Sequence, residues 1–190
     1  MKMEPSMSIS NSIKLDTKHS NGLLSSSELE DIFESNYKKV YNFISFRINN
    51  HHDTEELVSQ VFEKVIIKYY MYDNTRSTME AWVIGIAKNI VNDYFRVLKR
   101  RNLVSIDNVL NLICGRFQPS EIVVKNEENK ELIKVLNTLT DKERTIVAMK
   151  FSTGLKNKEI AQIMNLSESN VGSILFRTLK KMRAKLESEV

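Results

Sequence analysis

The stretch from Thr140 to Leu186, TDKERTIVAMKFSTGLKNKEIAQIMNLSESNVGSILFRTLKKMRAKL, decides the fold. Thr140 is placed to cap a first helix and Glu143 to reach back to it, the reciprocal pair of a capping box. Ile146, Val147 and Phe151 continue at helical spacing to a break at Gly154. A short helix over Asn157 to Met164 then turns Ile160, Ala161, Ile163 and Met164 toward a core. Asn165 suits a left-handed turn, and Ser167 caps a longer helix with the apolar stripe Val171, Leu175, Leu179, Met182 and Leu186. This is the organisation of a helix-turn-helix, whose second helix enters the DNA major groove while the first braces the backbone. Its last turns carry Arg177, Lys180, Lys181, Arg183 and Lys185 with no acid between them, which favours phosphate. A basic helix end also serves as an ordinary solvated face complementing the helix dipole. The ordered succession of cap, glycine break, core segment and second cap is what supports the DNA-binding reading.

Outward from that stretch, the fold class is all-α, with two small helical domains joined by a flexible linker. The 190 residues include only five Gly and two Pro, and apolar residues recur at helical rather than alternating spacing. A net charge of +4 is mild for a nucleic-acid binder, but the charge is segregated. Asp53, Glu55, Glu56 and Glu63 form an acidic patch; Arg96, Lys99, Arg100 and Arg101 form a basic one. Two partners of opposite charge fit that pattern better than one. Cys114 has no second cysteine to pair with, which fits a reducing compartment. No apolar run approaches the roughly 20 residues of a membrane span, and the Ser- and Asn-rich start has no apolar core of a secretory signal. The expectation is a cytoplasmic protein without direct membrane insertion.

Residues 1–26 read as a disordered leader, 27–101 as a first domain, 102–126 as a linker around Gly115 and Pro119, and 127–190 as the helix-turn-helix domain. The first domain holds three helical patterns. One uses Leu29, Ile32, Phe33, Tyr37, Val40, Tyr41, Ile44 and Ile48. A second starts at Asp53 as cap, with Glu56 three residues on, and repeats Leu57, Val61, Val65 and Tyr69 beside Val58, Phe62 and Ile66. The third starts near Thr78, with Trp82, Ile86, Ile90 and Val97 packed inward and Lys88, Asn92, Arg96 and Lys99 on the opposite face. The polar loop before it, Tyr72 to Thr78, joins that basic face as a candidate holder of single-stranded bases. Trp82 and Tyr72 are read as packing residues in the first instance.

Two segments of the first domain carry a resemblance. Asp53-Thr54-Glu55-Glu56-Leu57-Val58-Ser59-Gln60-Val61-Phe62 resembles the core-polymerase-binding segment of bacterial sigma factors. Tyr72 to Trp82, followed by Ile86-Ala87-Lys88-Asn89 and Asp93-Tyr94, resembles the part that recognises and opens the promoter −10 element. The match is to the small sigma-70 type proteins called extracytoplasmic-function (ECF) sigma factors. Leu139 to Arg183 is similar to their second domain, which reads the −35 element. The resemblance spans roughly Leu29 to Leu186 with both domains in order and no large domain between them.

The resemblance implies a function: to bind core RNA polymerase, recognise both promoter elements and promote melting, with no catalytic site, metal or cofactor. Asp53, Glu56 and Gln60 would dock on a basic coiled coil of the polymerase. The loop Asp73, Asn74, Thr75, Arg76, Ser77 and Thr78 would capture a flipped −10 base, while Lys88, Asn89, Asn92 and Arg96 hold the strand. Ser169, Asn170, Ser173, Arg177, Lys180 and Lys181 would meet the −35 groove and its phosphates. An anti-sigma factor is an implied regulatory partner.

The chain departs from the family at Gly172 and Ile174, where basic residues are common, and at Glu80 and Gly85 in the first domain. Two DNA contacts of the recognition helix are therefore expected to be missing, with narrow or unusual −35 specificity as the consequence. Two other readings remain at the level of sequence. One is a polymerase-independent helix-turn-helix regulator; the other is a helical adaptor or enzyme using its basic face for RNA. His51-His52-Asp53 reads as a polar turn rather than a metal site.

Overall fold

The computed structural model describes residues 24–48, 50–102 and 134–188, and among these it contains helices and turns but no strand. The expected leader up to residue 23, the linker from 103 onward, Cys114 and the start of the expected helix-turn-helix domain at 127 lie outside the described residues. Helix α1 is Ser26–Ile48, α2 is His51–Lys68 and α3 is Met79–Asn102. After a helical turn at 134–137 come α4 (Asp141–Ala148), α5 (Asn157–Met164) and α6 (Glu168–Ser188).

Each start has a local cause. Ser25 and Glu28 exchange bonds, Ser25 N–H to the Glu28 carboxylate at 2.9 Å and Glu28 N–H to the Ser25 hydroxyl at 3.3 Å. That box starts α1 at Ser26, inside the stretch expected as leader. For α2 the expected cap is corrected: Asn50, not Asp53, accepts the Asp53 N–H at 3.0 Å, and the helix begins at His51. Asp53 sits inside the first turn, which frees its carboxylate for another partner. Thr140 and Glu143 form the expected box, at 2.8 Å and 3.3 Å. Gly154 (φ 80°) and Asn165 (φ 52°) both take the left-handed conformation that ends a helix. The Asn170 N–H reaches the Ser167 hydroxyl at 3.2 Å, capping α6 as expected.

The first three helices pack as a bundle around Val40, Phe43, Ile44, Val61, Val65 and Ile84, all fully buried. Two expectations about faces are corrected here. Phe33 (43% exposed) and Tyr37 (38%) lie on the rim of α1, Phe33 packed in tilted ring contacts with Tyr37 and the buried Phe62, while Phe43 and the polar Asn36 and Arg47 turn inward. On α3 the inward face is Val83, Ile84, Ala87, Ile90 and Val91; Trp82 and Ile86 are only partly buried and Val97 is exposed. Tyr72 and Trp82 do pack on each other, ring centres 5.3 Å apart.

In the second unit α4, a π-type turn over Met149–Thr153, α5 and α6 enclose Ile146, Met149, Leu155, Ile160 and Val171. The stripe of α6 is rotated from expectation: Ile174 and Thr178 are buried and Leu179 is 40% exposed. The two units touch. Helix α1 packs on α4 and the π turn, and α3 packs on α5. At that junction Arg47 is buried, its guanidinium 5.3 Å over the Phe95 ring and 3.6 Å from the Asp141 carboxylate.

Candidate functional site

Three surfaces carry the predicted residues. The first is a groove of about 390 Å³ between α2 and α3, lined by Asp53, Glu56, Gln60, Asp93 and Tyr94 over the apolar floor of Leu57 and Ile90. All three expected docking residues are brought together here. Gln60 Nε2 donates to the Glu56 carboxylate one turn back, at 3.2 Å. The Tyr94 hydroxyl donates to Asp53 Oδ2 at 2.6 Å, which fixes the carboxylate and ties α2 to α3. Burial, that bond and the charges of Asp53 and Glu56 together push the Tyr94 phenol well above its ordinary range, so it stays a donor. Tyr94 is a residue the sequence quoted without a role; forty-one positions separate it from Asp53, so no local spacing links them. The groove lining carries three carboxylates, Asp53, Glu56 and Asp93, against one cation, Lys64, over an apolar floor, a balance that suits a basic partner.

The second surface is the loop before α3. Asp73 organises it: its Oδ1 accepts the Thr75 N–H at 2.9 Å and the Thr75 hydroxyl at 2.6 Å, and its other oxygen pairs with Arg76 at 3.1 Å. The two bonds from Thr75, helped by Arg76, hold Asp73 below the usual carboxylate range. Asp73 is therefore an internal strut of the loop. Asn74, Thr75 and Arg76 are exposed at its tip, and Ser77 is half-buried under the Tyr72 hydroxyl, which donates to the Ser77 carbonyl at 3.2 Å. The loop closes onto a cavity of about 410 Å³ walled by Trp82, Gly85, Lys88 and Asn89 and, from α5, Gln162 and Ile163. A Cβ on Gly85 would meet nothing within 4 Å, so the missing basic residue leaves an open wall. Glu80, the other departure, pairs with Lys39 and joins α3 to α1.

On the face of α3, Asn89, Asn92 and Arg96 are exposed, with Arg96 paired to Asp93 at 3.0 Å. Lys88 is not free: its ammonium donates to the Ile163 carbonyl at the end of α5, at 3.2 Å. The Thr78 hydroxyl donates to Glu159 of α5 at 2.8 Å. The second unit thus occupies one edge of the surface expected to hold the strand, a contact that spacing along the chain does not encode.

The third surface is α6. Ser169, Asn170, Ser173, Arg177 and Lys180 are all exposed and share the outward face. Arg177 Nε donates to the Ser173 carbonyl at 3.3 Å, leaving the rest of its guanidinium fork outward. Lys181 is different: its ammonium reaches the Thr138 carbonyl at 2.9 Å and lies 3.8 Å from Glu143, so it braces the unit rather than presenting a free charge. Arg183 pairs with Glu187 at 2.8 Å. Ile174 is buried, so the basic residue expected at that position is missing from the core side of α6, not from its outward face. Gly172 is the departure that changes the surface. Phe176, unassigned by the sequence reading, stands 71% exposed on the same face. Among the described residues no group of His, Cys, Asp or Glu is placed to hold a metal, and His51 instead lies 3.3 Å from the Tyr41 hydroxyl. No helix among them is long and apolar enough to cross a membrane.

The sigma-70 region 2 family model matches residues 32–101, and that for sigma-70 region 4 matches residues 129–182. The ECF RNA polymerase sigma factor SigX of Bacillus subtilis is 25% identical over 160 residues, covering 82% of each chain. SigM of the same organism is 27% identical over 156 residues, covering 82% of this chain and 93% of the relative. The fold is similar to that of the sigma factor RpoE, solved with the anti-sigma factor NepR from Bartonella quintana (TM-score 0.65, 19% identity, 85% of this chain and 95% of the other). It is also similar to CnrH, solved with the cytosolic domain of CnrY (TM-score 0.62, 17% identity, 87% and 92%). With two region matches that together cover well over half of the sequence, in family order, the chain belongs to the sigma-70 family of RNA polymerase sigma factors, in its extracytoplasmic-function group.

Proposed function

We propose a division of labour among the three surfaces. The acidic groove docks the chain on a basic helical element of core RNA polymerase, through Asp53, Glu56 and Gln60. The loop of Asn74 to Thr78, with Lys88, Asn89, Asn92 and Arg96, holds the opened −10 strand. The outward face of α6 reads the −35 element through Ser169, Asn170, Ser173 and Arg177, with Lys180 on phosphate. The observation that carries the reading is the segregation of charge: an acidic groove on α2 and a polar to basic face on α3 and α6 demand two different partners. Strand opening is then driven by binding, because captured bases repay the few kcal/mol an unstacked base costs. Sigma factors are non-enzymatic initiation factors, and each of these surfaces acts by binding. A protein with these two partners works in the cytoplasm.

Two contacts bear on regulation. Thr78 and Lys88 are both engaged by α5, so the second unit must swing away before a strand can use them. The related RpoE and CnrH were each solved with a binding partner. A partner of the anti-sigma type that favours the joined arrangement would keep this chain silent.

Reconstituted transcription tests the whole scheme: the full chain with core polymerase on promoter fragments from the source genome. The expected result is transcripts that depend on the chain and start at a common distance from two motifs. Charge reversal at Asp53 or Glu56 should abolish polymerase binding and leave promoter preference of any residual complex unchanged. Arg177→Ala should weaken −35 dependence and leave polymerase binding intact. Sequence-specific footprints by the chain alone, with no dependence on polymerase, would overturn it.

A further inference from the structure

The junction between the two units is built differently at its two ends. At the α3–α5 end the polar contacts are satisfied bonds, from Thr78 to Glu159 at 2.8 Å and from Lys88 to the Ile163 carbonyl at 3.2 Å. At the other end α4 lies over Arg47 of α1, and that side chain is poorly met. Its Nε and Nη1 are buried without a hydrogen-bond partner. Its Nη2 stands 3.6 Å from Asp141 Oδ1, longer than a hydrogen bond, and that carboxylate is itself exposed. The other charge that α4 brings has the wrong sign: Arg144 is buried, bonded to the Leu136 carbonyl at 3.2 Å, and repels Arg47. The favourable contact is with the Phe95 ring, 5.3 Å from the guanidinium. Phe95 belongs to the first unit, so that contact survives when the units part. Joining them therefore strips water from two N–H donors and returns no bond to either. Packing alone would not call for a charge here, since an unbranched apolar side chain could lie against Phe95 without orphaned donors.

We propose that Arg47 is a wedge in this junction: its buried, half-satisfied guanidinium keeps the joined arrangement only marginally favoured, so that promoter DNA can part the two units. This rests on the reading that the second unit must leave Thr78 and Lys88 before a strand can use them. The α5 end clasps, the α4 end opposes, and their balance sets the fraction of chains that are parted. A strand that binds only the parted form has an apparent affinity proportional to that fraction. The groove of Asp53, Glu56 and Gln60 is lined by α2 and α3 alone, so docking on polymerase does not depend on the balance.

Single-molecule energy transfer reads the balance directly. Dyes are placed on Ser59→Cys of α2 and Lys158→Cys of α5, both exposed positions, in the full chain carrying Cys114→Ser. The free chain should show a joined and a parted population. Arg47→Met should lower the parted fraction roughly tenfold (about 1.4 kcal/mol), and its holoenzyme should lose promoter affinity by the same factor with polymerase affinity unchanged. Arg47→Lys keeps the buried charge and should stay near the unsubstituted chain. Asp141→Asn removes the carboxylate that offsets the cation and should raise the parted fraction, by up to about fivefold. Because Asp141 is exposed, this variant tests the wedge even where Arg47→Met fails to fold. An unchanged parted fraction in Arg47→Met, Arg47→Lys behaving as Arg47→Met, a lowered fraction in Asp141→Asn, or a free chain with the joined population alone would each overturn the inference. Labelled holoenzyme on promoter DNA separates the two levels. If it shows the parted distance while Arg47→Met leaves the balance unmoved, the units do part and only the role of Arg47 is wrong. If it keeps the joined distance, the reading that they must part has failed.

Discussion

Arg47→Met should make this protein more stable. The Arg47 side chain is 2% exposed, and its Nε and Nη1 have no hydrogen-bond partner. Burial, opposed by Asp141 and reinforced by nearby Arg144, pushes its pKa down to about 10, so at neutral pH the folded chain still holds a buried cation. Each unpartnered buried donor costs about 1–3 kcal/mol. Against this stand the contact with the Phe95 ring, worth about 2 kcal/mol when desolvated, and a loose pair with an aspartate that is 82% exposed, worth about 0–1 kcal/mol. Methionine keeps the aliphatic packing and lends a polarisable sulfur to the ring. The balance favours Met by about 1–3 kcal/mol, and buried ion pairs elsewhere behave in the same direction. For a chain of this length that corresponds to roughly 2–4 °C in Tm per kcal/mol, measured by calorimetry and checked by urea denaturation. Asp141→Asn serves as control and should change stability by less than about 1 kcal/mol. A lower Tm for Arg47→Met, together with an equal loss for Asp141→Asn, would refute the argument by showing that the ion pair outweighs the orphaned donors.

Gly172→Arg should raise stability by about 1 kcal/mol, since glycine is a poor helix former and a Cβ fits there. The same variant should steepen the salt dependence of promoter binding by about one unit in the log–log slope, read by titration at several salt concentrations. Tyr94→Phe removes the 2.6 Å bond to Asp53 and should cost about 1 kcal/mol in denaturation, with a further loss of polymerase affinity as the carboxylate is released. For Glu143, burial raises the pKa, but the bonds from Thr140 and the charge of Lys181 outweigh it and leave the folded value below 4.5. A carboxylate with a depressed folded pKa stabilises the fold above its unfolded value and loses that contribution as pH falls through the folded one. Hydrogen exchange in α4 should therefore accelerate below about pH 4.5, and Glu143→Gln should flatten that response.

The parts of the fold that were legible in the sequence are those fixed by neighbours along the chain. The capping box at Thr140, the left-handed residues Gly154 and Asn165 and the cap at Ser167 need only a few residues to form. They place α4, α5 and α6 within a residue or two, and so locate the recognition helix. The cap of α2 went astray because Asn50 and Asp53, three apart, are both good caps, and the winner is set by the buried register of Thr54 and Leu57. The helical pattern of α1 took in the rim aromatics Phe33 and Tyr37 and left out the core Phe43 for a related reason. Phe33, Tyr37 and Phe43 fit a helical apolar pattern about equally, and only the position of α2 and α3 separates them.

The sequence by itself determined the helices, their breaks, the segregation of charge and the identity of the family, since each of these depends on residue type and short spacing. Tertiary structure alone decided which of those residues are available. It turned Ile174 into core and left Phe176 outside, anchored Lys181 to Thr138, tied Asp53 to Tyr94 and engaged Lys88 and Thr78 with α5. A helical pattern states that a face exists, not the few tens of degrees by which the face is turned. A charge in the sequence does not state whether a carbonyl or carboxylate from another helix already holds it. Those are questions of distance between segments far apart in the chain, and they are answered only when the helices pack.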